Sequence, residues 1–111
     1  MTWLQAFLLT QALEVPFYLL GMRGTPLSAP LRVAVAFGAS ALTHPIVWFV
    51  LPGLLAPALG WWGYFVVAET FAVVTEWWYL RSFEVPHPLR WSLVANGVSM
   101  TTGLLLSTYV L

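Results

Sequence analysis

The sequence predicts an all-α membrane protein, a single domain of four transmembrane helices in an antiparallel bundle, and three observations carry that prediction. Of 111 residues, 60% are hydrophobic and 7% charged, a balance that a soluble domain of this length does not keep in water. The apolar residues fall into four stretches of roughly 20, the length needed to cross the hydrocarbon core. Between them, Pro, Gly and Arg gather in short connections, which favour antiparallel packing of sequential neighbours.

The first helix is expected over residues 2–21. This stretch is apolar enough to resemble a secretory signal, but no basic segment precedes it and no small-residue cleavage pattern stands before Met22, so it reads as a retained helix. The connection of residues 22–30 ends in Pro30, suited to a first helical position where a missing N–H leaves no bond unmade. The second helix is expected over residues 31–51, with a kink where Pro45, next to His44, frees the carbonyl of Ala41. Residues 52–59, with two prolines and a glycine, read as the second connection. The third helix spans residues 60–80. A third connection, residues 81–88, ends in Pro88, and the fourth helix takes residues 89–110.

Charge sets the expected orientation. Arg23, Arg32, Arg81 and Arg90 all fall at the first and third connections or the helix ends beside them, while the termini and the second connection carry no basic side chain. By the positive-inside rule the arginine side is cytoplasmic and both termini lie outside, in the cell (inner) membrane. Trp3, Trp48, Trp61, Trp62 and Tyr109 then mark the outer interface, and Trp77, Trp78, Tyr79 and Trp91 the inner one. Formal net charge is zero, so nothing attracts nucleic acid, and the lipid bilayer is the expected partner. Without cysteine there is no disulfide, thiolate metal site or thiol chemistry.

The informative residues are the polar ones inside apolar stretches, where an ionisable group costs on the order of 3 kcal/mol. Gln11, Glu14 and Tyr18 share one stripe of helix 1 at i, i+3 and i+7. Ser40 and His44 are one turn apart on helix 2. Glu69 and Glu76 share a face of helix 3, and Ser92, Asn96, Ser99, Gly103 and Ser107 form a strip on helix 4 of the kind that packs helices closely. At about 1.5 Å per residue, Glu14 and Asn96 lie roughly two turns deep, Glu69, Ser99 and Gln11 near the midplane and His44 further toward the outer side, a ladder in which Glu14, Glu69 and Asn96 are the best candidates for the centre of a site that binds or moves a proton or small cation, with Gln11, His44 and Ser99 in support. Glu76 is the weaker candidate. Counted from the helix end it lies near the interface beside Arg81, where it can snorkel or pair.

Length, four helices and the embedded Glu14 resemble the small multidrug resistance transporters, a likeness of layout that carries one residue of chemistry. The third helix departs from that family. It bears Glu69 and Glu76 where the family has a glycine-rich segment, and the arginine bias opposes the dual orientation found in parts of the family.

Other chemistries have less support. Glu14, His44, Glu69 and Glu76 are suitable ligand types for a metal but lack ligand spacing. No nucleophile elbow, paired-aspartate motif or phosphate loop accompanies them, so the sequence offers no positive sign of an enzyme and specifies no cofactor. The alternative to a cation site is a non-catalytic accessory or assembly subunit, in a homo-oligomer or larger membrane complex, whose polar residues pack helices.

Overall fold

The computed structural model describes residues 1–109, with side chains through residue 106. Within those residues the chain is all helical: α1 (Trp3–Gly21), α2 (Ala29–Pro45), a π-helical turn (Ile46–Val50), α3 (Leu51–Ser82) and α4 (Pro88–Tyr109). The expected last residue of helix 4, Val110, and the side chains of Ser107 and Tyr109 lie outside the described residues.

Local chemistry explains where the helices begin. The Thr2 hydroxyl accepts from the Gln5 N–H at 3.1 Å, and the Thr2 N–H donates to Gln5 Oε1 at 3.0 Å, a reciprocal capping box that makes Thr2 the cap and not the first helical residue. Ser28 caps α2 through the N–H of Leu31, and Pro30 falls in the first turn, so α2 starts two residues before the expected Leu31.

The stretch from Ala29 to Ser82 is helical except at Gly60, which departs from the expected connection at residues 52–59. Pro45 cannot donate, and the hydrogen bonds around it change register. Ile46 N–H donates to the Thr43 carbonyl, and Leu51 N–H donates to the Ile46 carbonyl. The expected kink therefore takes the form of a widened π turn, which passes directly into α3. Pro52 then sits in the first turn of α3, where its missing N–H leaves no bond unmade. The backbone breaks only at Gly60, with φ 73° and ψ 175°, a region essentially restricted to glycine. A straight helix of 54 residues would be about 81 Å long, while the molecule's longest extent is 44 Å. The run folds back on itself, and α3 packs against both α2 and the π turn.

α1 packs on α2 and α4, and α3 packs on the same two helices, leaving α1 and α3 on a diagonal. The apolar core lies at the end that carries the connections of residues 22–28 and 83–87, where Tyr18, Met22, Val35, Leu80 and Val85 are buried together. Gly21 lets the Trp91 ring close onto α1, since a Cβ there would stand 2.7 Å from it. Arg32 holds the first connection, donating to the carbonyls of Leu27 at 2.9 Å and Thr25 at 2.8 Å. Glu84 and His87 turn the other connection at positive φ, 58° and 51°.

Polarity runs opposite to that of a water-soluble bundle. Gln11, Glu14, Ser40, Thr43, Glu76, Ser92 and Asn96 are buried, while Leu8, Phe37, Leu54, Trp62, Val66 and Trp78 are exposed. Two helical runs, Trp3–Gly21 and Ala29–Ser82, are long and apolar enough to cross a membrane.

Candidate functional site

Two glutamates from diagonal helices meet in the interior. Glu14 of α1 is 2% exposed and Glu76 of α3 is 1% exposed, and both line one cavity. Every carboxyl oxygen also accepts a hydroxyl. Ser40 donates to Glu14 Oε1 at 2.6 Å, and Ser99 donates to Glu14 Oε2. Tyr18 donates to Glu76 Oε1 at 2.5 Å, and Thr43 donates to Glu76 Oε2 at 2.9 Å. The four hydroxyls come from α1, α2 and α4, so the acids join all four helices. No arginine or lysine takes part in these bonds.

Helix periodicity explains this convergence. On α1, Tyr18 is one turn below Glu14, so each can meet α3 and its neighbours from the same buried stripe. On α2, Ser40 and Thr43 are i and i+3, and the pair spans both acids, with Ser40 on Glu14 and Thr43 on Glu76. On α4, Ser99 reaches Glu14, and Asn96 Nδ2 donates to the Tyr18 hydroxyl at 3.4 Å and to the Ser92 carbonyl at 2.9 Å. Ser92 itself donates to the Val73 carbonyl at 2.7 Å, fastening α4 to α3.

The structure rearranges the expected site. Ser99 stands at Glu14, and Asn96 is joined to the acids only through the Tyr18 hydroxyl. Glu69 does not join the hydrogen-bonded centre: it is half-buried, lines the adjoining cavity, and has no hydrogen-bond partner among the described residues. Glu76 takes the central place instead. α3 continues to Ser82, two residues past the expected end, which puts Glu76 about 9 Å from the helix terminus and not about 6 Å, while Arg81 remains exposed. Gln11 lies outside the cavity and donates to the Phe37 carbonyl at 3.0 Å, tying α1 to α2. His44 lines the cavity, but its ring sits among Trp3, Phe7 and Trp48, and Nδ1 has no partner among the described residues. Tyr18, Ser40 and Thr43 are the residues that sequence reasoning did not place in the site. Tyr18 and Ser40 each stand one turn from a nominated residue, Tyr18 from Glu14 and Ser40 from His44, and Thr43 stands one turn from Ser40, and that spacing was the available signal.

A cavity of about 680 Å³ extends from the acids toward the end of the bundle opposite the apolar core. Glu14, Glu69 and Glu76 lie on its wall, and Trp48, Trp61, Trp62 and Phe65 lie toward its far end. Among the described residues no three His, Asp or Glu side chains converge in a way that could hold a metal ion. Comparison with protein-family models, curated proteins and solved structures finds no match to this chain.

Proposed function

We propose that the chain is a four-span protein of the cell membrane whose carboxyl pair, Glu14 and Glu76, binds and exchanges a proton or small cation. The observation that carries this reading is the solvation of the pair. Two buried carboxyls face each other, surrounded by neutral hydroxyls and without a cationic side chain. Two anions so placed would repel in a low-dielectric interior, so charge balance calls for a proton or cation between them. The cavity gives that position a route toward one end of the bundle.

The membrane reading draws on the exposed apolar side chains over a polar interior and on two runs of membrane-crossing length. In the four-span arrangement the fold-back around residues 51–60 divides the 54-residue run into two spans, and α4, with 22 residues, supplies the last at about 33 Å. The positive-inside rule then places the Arg-bearing connections in the cytoplasm and both termini outside.

Infrared difference spectroscopy of the protein in lipid, taken across acid to alkaline pH, tests the site. The expected result is a carboxyl band that changes with pH and is lost in both Glu14→Gln and Glu76→Gln. Spectra identical to wild type in both folded variants would reject the site. Packing would then be the role of these residues, and the accessory-subunit reading would take its place.

A further inference from the structure

The seam between α3 and α4 is closed at one end and open at the other. Near the apolar core, Ser92 donates to the Val73 carbonyl at 2.7 Å and holds the two helices together. Further along α4, a Cβ added at Gly97 or Gly103 would meet nothing within 4 Å, so the close packing expected of this helix gives way to a gap. A groove of about 330 Å³ runs along the outside of the gap, lined by Val74, Leu93 and Gly97 together with Glu69, Asn96 and Met100. The last three also line the interior cavity, so one set of side chains separates the interior from the outer face. Val74 and Leu93 are exposed, which in a bilayer puts acyl chains against the groove. Two acceptors stand unused where groove and cavity meet. Glu69 has no hydrogen-bond partner, and Asn96 engages only its Nδ2 group, among the described residues.

We propose that this seam binds an uncharged lipid alcohol, its chain in the α3–α4 groove and its hydroxyl at Glu69 and Asn96. Asn96 Oδ1 can only accept, and the Glu69 carboxyl keeps an accepting oxygen in either protonation state, so the head that fits carries a donor. The route selects an uncharged one. By helical rise, Asn96 lies about 12 Å from the start of α4, within the hydrocarbon region. An ammonium, carboxylate or phosphate head arriving there through an apolar groove would lose its hydration at a cost far above that of a hydroxyl. No cationic side chain lines the groove to receive an anion. The proposal rests on the membrane reading of the exposed apolar faces and not on exchange at Glu14 and Glu76.

The test is photolabelling of the whole protein in phosphatidylcholine vesicles with hexadecanol carrying a mid-chain diazirine, the labelled residues being located by mass spectrometry. Label at Val33 and Val66, both exposed, reports ordinary lipid contact. The expected result is further label in the groove, at Val74, Leu93 or Met100, that excess hexadecanol displaces. Hexadecane and hexadecylammonium should displace it about fivefold more weakly or worse, as one net hydrogen bond implies for the alkane. Gly97→Leu sends a side chain into the groove where the added Cβ meets no atom, so the variant should fold and lose about fivefold or more of the displaceable label. Equal displacement by hexadecane or hexadecylammonium, or unchanged groove label in the folded Gly97→Leu protein, overturns the proposal. The competitor comparison needs no variant and decides the matter if Gly97→Leu does not fold. Label at Val33 and Val66 without a displaceable fraction in the groove overturns the proposal alone, whereas no label at either residue fails the membrane reading and the proposal with it. The carboxyl-pair reading is judged separately, by the infrared bands of Glu14 and Glu76.

Discussion

At the scale of single residues, the interior is governed by hydroxyls placed one per carboxyl oxygen. Removing one leaves a buried acceptor unmatched, which costs about 1–3 kcal/mol. Ser40→Ala and Ser99→Ala should each lower stability by that amount in denaturant unfolding, with Ser40→Thr restoring part of it. Loss of both hydroxyls should be less than additive, because Ser40 and Ser99 share Glu14. A different residue-scale constraint holds at Gly21. The added methyl of Gly21→Ala would meet the Trp91 ring at 2.7 Å, and overpacking of this kind costs about 1–3 kcal/mol. A Gly21→Ala protein as stable as wild type, measured in the same unfolding experiment, would show that Trp91 moves aside freely. Trp91 was read from sequence as an interfacial anchor; it is half-buried and packed on α1, a role its position near a helix start does not reveal.

At the scale of elements, the connection between α2 and α3 determines the shape of the cavity. Pro45 redirects the chain through the π turn, the segment Leu51–Leu59 stays helical, and Gly60 permits the reversal at a φ of 73°. Pro52 and Ala56 of that segment line the cavity. Any side chain at residue 60 meets a backbone region close to forbidden, so Gly60→Ala should destabilise by about 1–3 kcal/mol. Because the strain falls on the segment that carries Trp61 and Trp62, the variant should also change the near-ultraviolet circular dichroism of the tryptophans. An unchanged spectrum with unchanged stability would mean that the reversal does not require glycine. Proline and glycine in residues 52–59 suggested a non-helical connection, but proline in a first turn is compatible with a helix, and only Gly60 adopts a backbone angle that ends one.

At the scale of the whole molecule, the bundle is closed at one end by apolar packing and opened at the other by a cavity. The chain lacks cysteine, so single cysteines report topology without background. In the four-span arrangement Glu84→Cys should react with an impermeant thiol reagent only from the cytoplasmic side, and Ala58→Cys only from the opposite side. Labelling of both from one side would reject that arrangement while leaving the helical fold untouched.

The sequence by itself determined the helical character, because its apolar runs of roughly 20 residues have helix length and the polar residues within them recur at helical spacing. It also marked residues that would need partners, since Glu14, Glu69, Glu76, Gln11, His44 and Asn96 stand out in apolar surroundings, though it put Glu69 and not Glu76 at the centre. Which acids meet was decided only by the tertiary structure. Depth along a helix depends on where that helix ends, and two extra residues at the end of α3 moved Glu76 to the level of Glu14. Facing depends on the diagonal placement of α1 and α3, which no periodicity within either helix encodes. Glu69 shares a stripe with Glu76, yet the same helix carries it past the hydrogen-bonded centre into the cavity, because the neighbouring hydroxyls of α2 and α4 reach only the acids at their own level.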